Sequence, residues 1–175
     1  GIKQYYRFDI NSRRKQETLS LDFQIKDPHL WWPNDRGEQA LYDLNLRFIP
    51  QKGKTAHVKT SFGIRTIEMR PLTDGAKEDY YNWTFVINGK PMFIKGTGWC
   101  TMDALMDFSR NKYEHLLQIA KSQHIQMLRA WGGGMPETDD FYELCDKYGI
   151  LVMQEWPTAW NSHNTQPYSL LKETV

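Results

Sequence analysis

The chain has 175 residues and a formal net charge of +1, and 40% of its residues are hydrophobic and 25% charged. This composition is typical of a folded globular chain and argues against disorder. A charge so close to zero provides no long-range field for nucleic acid or for an anionic membrane surface, and no apolar run is long enough to span a bilayer. We therefore expect neither nucleic acid nor membrane as a partner. The two cysteines, Cys100 and Cys145, imply no disulfide framework.

Residues 1–70 show the pattern of β-strands. Apolar and polar side chains alternate at 19–25 and 41–49, and a further short alternation follows at 56–60. This spacing predicts part of an antiparallel β-sandwich. The stretch at 71–82 is polar and rich in turn residues, and we interpret it as the linker to a second domain.

Residues 83–175 carry different signals. Asn88-Gly89 lies between two apolar runs and predicts a β-hairpin, because both residues accept the positive φ of a type I′ turn. After it, helical and strand-like segments alternate, which predicts a parallel sheet with its chemistry at the carboxyl edge. The predicted parallel strands lie at 92–96, 126–131 and 150–154.

Two amphipathic helices are predicted between these strands. The first has a capping-box-like start at Asn111 with Glu114 three residues later. Its apolar face consists of Tyr113, Leu116, Leu117 and Ala120. The second begins near Asp139 and stops at Gly149, and its apolar face consists of Phe141, Leu144, Cys145 and Tyr148. Residues 167–175 are interpreted as the opening of a third helix.

Aromatic and charged side chains follow the second and third parallel strands. Trp131 precedes three glycines, and Glu155 comes directly after an apolar run. A charge in that position is costly unless it is paired or used, so Glu155 is either a pocket carboxylate or an ion-pair partner of Arg129, and both interpretations are compatible. Trp131 is either the wall of a pocket or a core tryptophan with a bendable loop behind it.

Other kinds of site lack their signatures. The glycines are not followed by Gly-Lys-Ser/Thr, so no nucleotide site is expected. The histidines are scattered without ligand spacing, so we predict no metal and no cofactor, and no Gly-x-Ser-x-Gly elbow indicates a serine hydrolase. An aromatic content of 14% leans toward carbohydrate, because aromatic faces pack against the apolar C–H surface of a pyranose.

Seven stretches form an ordered pattern along nearly the whole chain. They are residues 30–34, 37–42, 62–65 and 88–91, Lys95-Gly96 with Trp99 and Asp103, residues 127–134, and residues 141–146. Together they resemble glycoside hydrolase family 2. The resemblance is closest to the β-mannosidase and exo-β-glucosaminidase branch, since β-galactosidases usually carry an Arg-Thr-Ser/Ala-His-type strand end where this chain has Arg129-Ala130-Trp131-Gly132.

The resemblance implies a jelly roll, an immunoglobulin-like β-sandwich and a (β/α)8 TIM barrel with a retaining β-glycosidase site. Residues 1–70 then correspond to the C-terminal part of the sandwich, and 83–175 to the barrel from its first strand to the start of its third helix. In the family the two catalytic glutamates follow barrel strands four and seven. By strand count Glu155 closes strand three, so we expect no catalytic residue in this chain. We expect an inactive fragment of a glycosidase that acts on terminal β-glycosides, with β-mannosides as a candidate.

The resemblance also implies substrate-binding roles. Glu155 resembles the family's acidic residue after strand three, which helps to hold sugar hydroxyls, and Trp131 resembles the aromatic wall of the subsite for the non-reducing sugar. The remaining candidates are Trp99 and Asp103 after the first strand, together with Arg129 and Trp156. The expected partner is a carbohydrate substrate.

One alternative function and two further questions stay open at this stage. The alternative is a non-catalytic carbohydrate-binding or structural module whose function ends with the sandwich. A partial barrel leaves unpaired strand edges, which would allow self-association. The compartment is unknown, because a fragment without a secretory signal is compatible with a secreted or periplasmic parent.

Overall fold

The computed structural model describes residues 3–10, 18, 20, 22–72 and 82–156. These residues contain eight strands and two helices, and the strands form three small sheets. Neither of the two helices is long and apolar enough to cross a membrane. The three sheets follow one another along the chain.

The first sheet is an antiparallel pair of strands, β1 (Leu41–Phe48) and β2 (Ala56–Gly63). It is the antiparallel pairing that the alternation predicts before residue 70. Among the described residues of the strand predicted at 19–25, residues 20 and 22–25 belong to no strand, and Phe23 is 47% exposed. Alternation can assign side chains to a face, but a strand also needs a neighbouring strand for its backbone hydrogen bonds.

The second sheet is antiparallel, with its strands in the order β3 (Ile67–Pro71), β4 (Trp83–Ile87) and β5 (Lys90–Met92). β4 and β5 form the predicted hairpin, with Asn88 at φ 49° and Gly89 at φ 76° in its turn. β3 ends where the predicted linker at 71–82 begins, and it pairs with β4 on the other side of that stretch. The division into two domains at 71–82 stays a prediction.

The third sheet is parallel and its strands are connected by helices. Its elements in chain order are β6 (Gly96–Trp99), α1 (Arg110–Ser122), β7 (Met127–Ala130), α2 (Asp139–Tyr148) and β8 (Leu151–Gln154). The predicted parallel array is confirmed. Its first strand begins at Gly96 rather than at 92, because residues 90–92 already pair with β4. The predicted third helix at 167–175 lies outside the described residues.

The two helices differ in how well their ends were predicted. α2 begins and ends as expected: Gly149 follows it in the left-handed conformation at φ 77°, and the predicted apolar face is buried. α1 has Ser109 as its N-cap, so the predicted start at Asn111 is wrong. Glu114 does not complete a capping box, because its carboxylate accepts hydrogen bonds from two side chains of α2.

The two faces of the parallel sheet pack against different partners. The face toward the helices contributes to a core of Tyr113, Leu117, Leu128, Phe141, Leu144, Cys145, Tyr148 and Ile150. On the opposite face, Met127 and Leu151 pack against Trp31 and against Ile87 and Met92 of the hairpin. Because Met127 and Leu151 are the first residues of their strands, this second cluster closes only the amino end of that face.

Trp31 and Asn34 are joined by hydrogen bonds to α1, α2 and the residue before β7. Trp31 is 1% exposed, and its Nε1–H donates to the Asp146 carbonyl at 2.8 Å. The Asn34 side chain donates to the Lys121 carbonyl at 2.8 Å, and the Gln126 amide donates to the Asn34 carbonyl at 2.8 Å. These bonds hold the amino end of the sheet in place below the site described next.

Candidate active-site edge

The carboxyl edge of the parallel sheet brings the ends of β6, β7 and β8 together. Backbone pairing continues one residue past β7 and β8. The Trp131 N–H donates to the Trp99 carbonyl at 3.0 Å, and the Glu155 N–H donates to the Ala130 carbonyl at 3.1 Å. Trp131 and Glu155 are therefore held at neighbouring strand ends, where parallel α/β folds place their chemistry.

Three donors hold the carboxylate of Glu155. Its Oε1 accepts from Nε and Nη2 of Arg129 at 2.7 Å and 2.6 Å, and its Oε2 accepts from the Gly132 N–H at 2.9 Å. The predicted ion pair with Arg129 is present. The Gly132 N–H and the Arg129 guanidinium hold the pKa of Glu155 below its ordinary value, against the opposing effect of desolvation. The carboxylate is thus ionised at neutral pH, and of its roughly four lone-pair directions one is left for a further donor.

The Arg129–Glu155 pair lies on the sheet face that no helix covers. Arg129 follows Met127 by two residues and therefore shares its face. The side chains of Arg129 and Glu155 are 54% and 33% exposed. Gly98 and Met153 flank Arg129 in register; a Cβ on Gly98 would meet nothing within 4 Å, and Met153 is exposed. The carboxyl half of this face is open and carries the ion pair beside the exposed Met153.

The glycine run after β7 serves close packing. A Cβ on Gly132 would lie 2.1 Å from the carbonyl oxygen of Trp156, and one on Gly133 would lie 2.1 Å from the ring of Trp131. At Gly132 the obstructing atom is backbone, so only glycine fits there, whereas a larger residue at position 133 would have to displace the Trp131 ring. The Trp131 indole is half-buried against this loop, and Trp156 is exposed at the same edge. Two indoles and the carboxylate of Glu155 therefore border one end of the sheet.

Trp99 and Asp103 lie apart from this pair. The Trp99 ring packs in the core under the helices, with its centroid 5.2 Å from that of Phe141. Asp103 pairs with Lys112 of α1 and accepts a backbone N–H of its own loop at 2.6 Å. The Lys112 ammonium holds the pKa of Asp103 below its ordinary value. These contacts stabilise the helix core and the loop after β6, and the predicted roles of both residues in sugar binding stay predictions.

Glu137, in the loop between β7 and α2, is a candidate that the sequence analysis missed. Its Oε1 accepts the Trp99 Nε1–H at 2.9 Å, and its Oε2 accepts the Tyr113 hydroxyl at 2.5 Å. Burial, together with this hydrogen bond, raises the pKa of Tyr113 to about 12. In the sequence, Glu137 lies just before α2, where acidic residues are common because they interact favourably with the helix N-terminus. Its two aromatic partners are distant in the chain, so no sequence spacing points to them.

Within the described residues, neither a metal cluster nor the Cys145 thiol adds a second chemistry to this edge. No group of three His, Cys, Asp or Glu side chains there is placed to hold a metal ion. Burial raises the pKa of the Cys145 thiol, which lies in the helix core. What the edge offers is a charged hydrogen-bond acceptor beside aromatic faces.

Two family models match the chain. The model for glycosyl hydrolases family 2 matches residues 3–65, and the model for the TIM barrel domain of the same family matches residues 81–172, more than half of the chain. The chain belongs to glycosyl hydrolase family 2. The antiparallel pair β1–β2 lies within the first match, and the parallel sheet with Glu155 lies within the family 2 barrel match.

Individual family 2 proteins are similar over most of this chain. Beta-mannosidase B of Emericella nidulans is 32% identical over 146 residues, which are 83% of this chain and 17% of that protein. The structure of a beta-D-mannosidase from Dictyoglomus thermophilum is 41% identical with a TM-score of 0.66, over 81% of this chain and 18% of that one. The exo-chitosanase of Amycolatopsis orientalis, in complex with PNP-beta-D-glucosamine, is 27% identical with a TM-score of 0.60, over 74% and 14%.

The chain spans less than a fifth of the length of each of these family 2 proteins. The fold class expected from the sequence is confirmed: part of a sandwich domain is followed by the first strands and helices of a TIM barrel. Within the described residues, β6, β7 and β8 are the parallel strands, and Glu155 follows the third of them. The expectation that the catalytic carboxylates lie outside this chain stays a prediction.

Proposed function

We propose that this chain supplies part of the substrate pocket of a retaining β-glycosidase that hydrolyses terminal β-glycosides, β-mannosides first among them. The family and its mannosidase members support this proposal. The observation that carries it is the ionised Glu155 at the carboxyl edge of the barrel sheet, fixed by Arg129 and Gly132 and open to a further donor. A sugar hydroxyl is a donor of the required kind.

Each residue at this edge receives a role in the proposal. Glu155 accepts a hydroxyl of the non-reducing sugar, and Arg129 keeps the carboxylate ionised and oriented. Trp131 offers its indole face to the apolar side of the pyranose, and Trp156 extends the aromatic border. Binding of this kind positions the glycosidic bond for attack but does not break it.

Bond cleavage requires two other carboxylates in this proposal. In retaining hydrolysis one carboxylate attacks the anomeric carbon while a carboxylic acid, roughly 5 Å away, protonates the departing oxygen; water then releases the sugar. A general acid needs a raised pKa, whereas the pKa of Glu155 is lowered by its two partners. We infer that the acid and the nucleophile come from further strands of the barrel.

No observation favours the alternative of a non-catalytic sandwich module. The residues that form a site-like arrangement, Arg129, Trp131 and Glu155, lie on the parallel sheet and within the barrel-domain match. A function confined to the sandwich would leave that arrangement without a use.

Aryl β-glycosides test the proposal directly. The complete glycosidase that contains this segment should hydrolyse aryl β-mannosides faster than aryl β-glucosaminides and β-galactosides. The 175-residue chain alone should hydrolyse none of them. A 2-deoxy-2-fluoro glycoside should label the complete enzyme covalently, at a carboxylate outside this chain, and should leave the chain itself unlabelled.

Two outcomes would contradict the proposal. A complete protein that hydrolyses no aryl β-glycoside would remove the glycosidase function. Turnover by the chain alone that disappears in Glu155→Ala would make Glu155 the catalytic acid, contrary to its lowered pKa.

A further inference from the structure

The loop between β7 and α2 is attached at both ends to a single residue, Trp99. At the start of the loop, the Trp131 N–H donates to the Trp99 carbonyl at 3.0 Å. At its end, Glu137 accepts the Trp99 Nε1–H at 2.9 Å. The segment 131–137 is therefore held between the main chain and the side chain of one tryptophan whose ring lies in the helix core.

Glu137 also reaches α1, which makes its anchor rigid. Its second carboxylate oxygen accepts the hydroxyl of Tyr113, a residue that is fully buried. Tyr113 and Trp99 stack with their ring centroids 6.5 Å apart, so the two donors hold each other in position. The positive end of α2, whose N-cap is the next residue, favours the charge of Glu137. One half-buried carboxylate thus joins β6, α1 and the start of α2.

The loop needs such an anchor because of its composition. Its three consecutive glycines, 132–134, lose more conformational entropy on ordering than other residues do. Contacts from outside the glycine run must therefore offset that loss. Yet the loop must be ordered, since the Gly132 N–H lies 2.9 Å from the Glu155 carboxylate and the Trp131 ring packs on Gly133.

We propose that Glu137 is a positioning residue of the substrate pocket: by holding the loop 131–137 to Trp99 and Tyr113, it fixes the Trp131 indole at the carboxyl edge and the Gly132 N–H on the Glu155 carboxylate. This inference rests on the proposed function, because the pocket is the one assigned there. Glu137 itself does not contact the sugar in this arrangement. Its loss would loosen the wall of the pocket and leave the reacting carboxylates in place.

The test compares Glu137→Ala with Glu114→Ala in the complete glycosidase. Glu114 is a matched control, because its carboxylate also accepts a tyrosine hydroxyl, that of Tyr148 at 2.7 Å, and it joins α1 to α2. Both variants should lower Tm. Only Glu137→Ala should raise KM for the best aryl β-glycoside, by about tenfold, with a similar loss of affinity for the corresponding free monosaccharide and a smaller change in kcat.

Two further variants separate positioning from simple stability. Glu137→Gln can accept the Trp99 N–H with its carbonyl oxygen and donate its amide N–H to the Tyr113 hydroxyl, so it should restore most of the affinity that Glu137→Ala loses. Tyr113→Phe removes one of the two anchors and should raise KM less than Glu137→Ala does. Its effect should not add fully to that of Glu137→Ala, because both changes release the same loop.

Hydrogen exchange of the loop amides provides a readout that does not depend on activity. The amides of residues 131–135 should exchange faster in Glu137→Ala than in the parent. In Glu114→Ala their exchange rates should be unchanged. Unchanged KM and unchanged loop exchange in Glu137→Ala, with Tm lowered as in the control, would overturn the inference while the glycosidase function stands. A complete protein without turnover would overturn the proposed function instead, and accelerated loop exchange would still support the anchoring role of Glu137.

Discussion

The two faces of the parallel sheet are built from alternate residues of the same short strands, yet one is buried in a core and the other is largely exposed. Toward the helices, Leu128 and the side chains of α1 and α2 form a closed aromatic core with Phe141 and Tyr113 fully buried. Toward the other side, apolar packing stops after the first residue of β7 and of β8, and Arg129 and Glu155 remain partly exposed.

The difference shows how one strand can serve stability and chemistry at once. Neighbouring residues of β7, Leu128 and Arg129, differ by a single step along the chain and point to opposite faces. The helix face excludes water and stabilises the sheet, whereas the open face keeps an ionised carboxylate within reach of a ligand. Substitutions on the helix face should therefore mainly lower stability, whereas substitutions on the open face should mainly lower activity.

The largest expected effect is on the closed face. Phe141→Ala should lower the free energy of unfolding by about 3 to 5 kcal/mol, because it leaves a cavity in a fully buried aromatic cluster. Met153→Ala, on the open face of this chain, should change it by less than about 0.5 kcal/mol. Urea unfolding of the chain measures both. Equal losses would mean that the two faces are equally packed.

On the open face the effect should appear in catalysis. Glu155→Gln in the complete glycosidase should lower kcat/KM by about thirtyfold or more, because a neutral amide binds a sugar hydroxyl less strongly than a carboxylate does. The control is Glu68→Gln, which alters another carboxylate held by two nitrogens of an arginine, Arg70. That control should leave kcat/KM unchanged. If Glu155→Gln and the parent have equal kcat/KM, Glu155 does not bind the sugar and its role is only the structural ion pair with Arg129.

A smaller loss of stability is expected at the amino end of the open face, where Trp31 packs against the sheet. Trp31→Phe keeps an aromatic ring but removes the Nε1–H that the Asp146 carbonyl accepts. We expect the free energy of unfolding to fall by roughly 1 to 2 kcal/mol. Denaturant midpoints of parent and variant provide the measurement, and an unchanged midpoint would show that water replaces the lost donor at no cost.

Acid should produce the smallest effect, through the Arg129–Glu155 pair. The pKa of Glu155 is lowered in the folded chain, so the pair stabilises the fold above the ordinary pKa of 4.5, and this contribution is lost as the pH falls through the lower folded value. The urea midpoints of the parent and Glu155→Gln should therefore differ at neutral pH and converge in strong acid. Because both side chains are partly exposed, solvent screens the pair. A difference that persists in acid would assign the stabilisation to something other than the charge.

Several features could be predicted from the sequence because short-range chemistry determines them. Asn88 and Gly89 accept positive φ, which produces the hairpin turn, and Gly149 ends α2 for the same reason. The apolar face of α2 follows from helical periodicity. The Arg129–Glu155 pair could be predicted because both residues follow short parallel strands whose ends meet at one edge.

Other features were decided only by the tertiary structure. Met92 belonged both to the apolar run after the predicted turn and to the predicted first parallel strand; it pairs with Phe85 of β4, and the first parallel strand begins only at Gly96. Glu114 satisfied a capping pattern, but α2 offers it stronger partners across the helix pair.

The same holds for the side chains around the site. The sequence by itself determined that Trp131 and Glu155 lie at one edge, since strand order and period decide that. It did not determine that Trp99 faces the helices or that Glu137 accepts both its indole N–H and the Tyr113 hydroxyl. Those bonds join residues far apart in the chain and lack any local spacing, so they arise only when β6, α1 and the loop before α2 pack together.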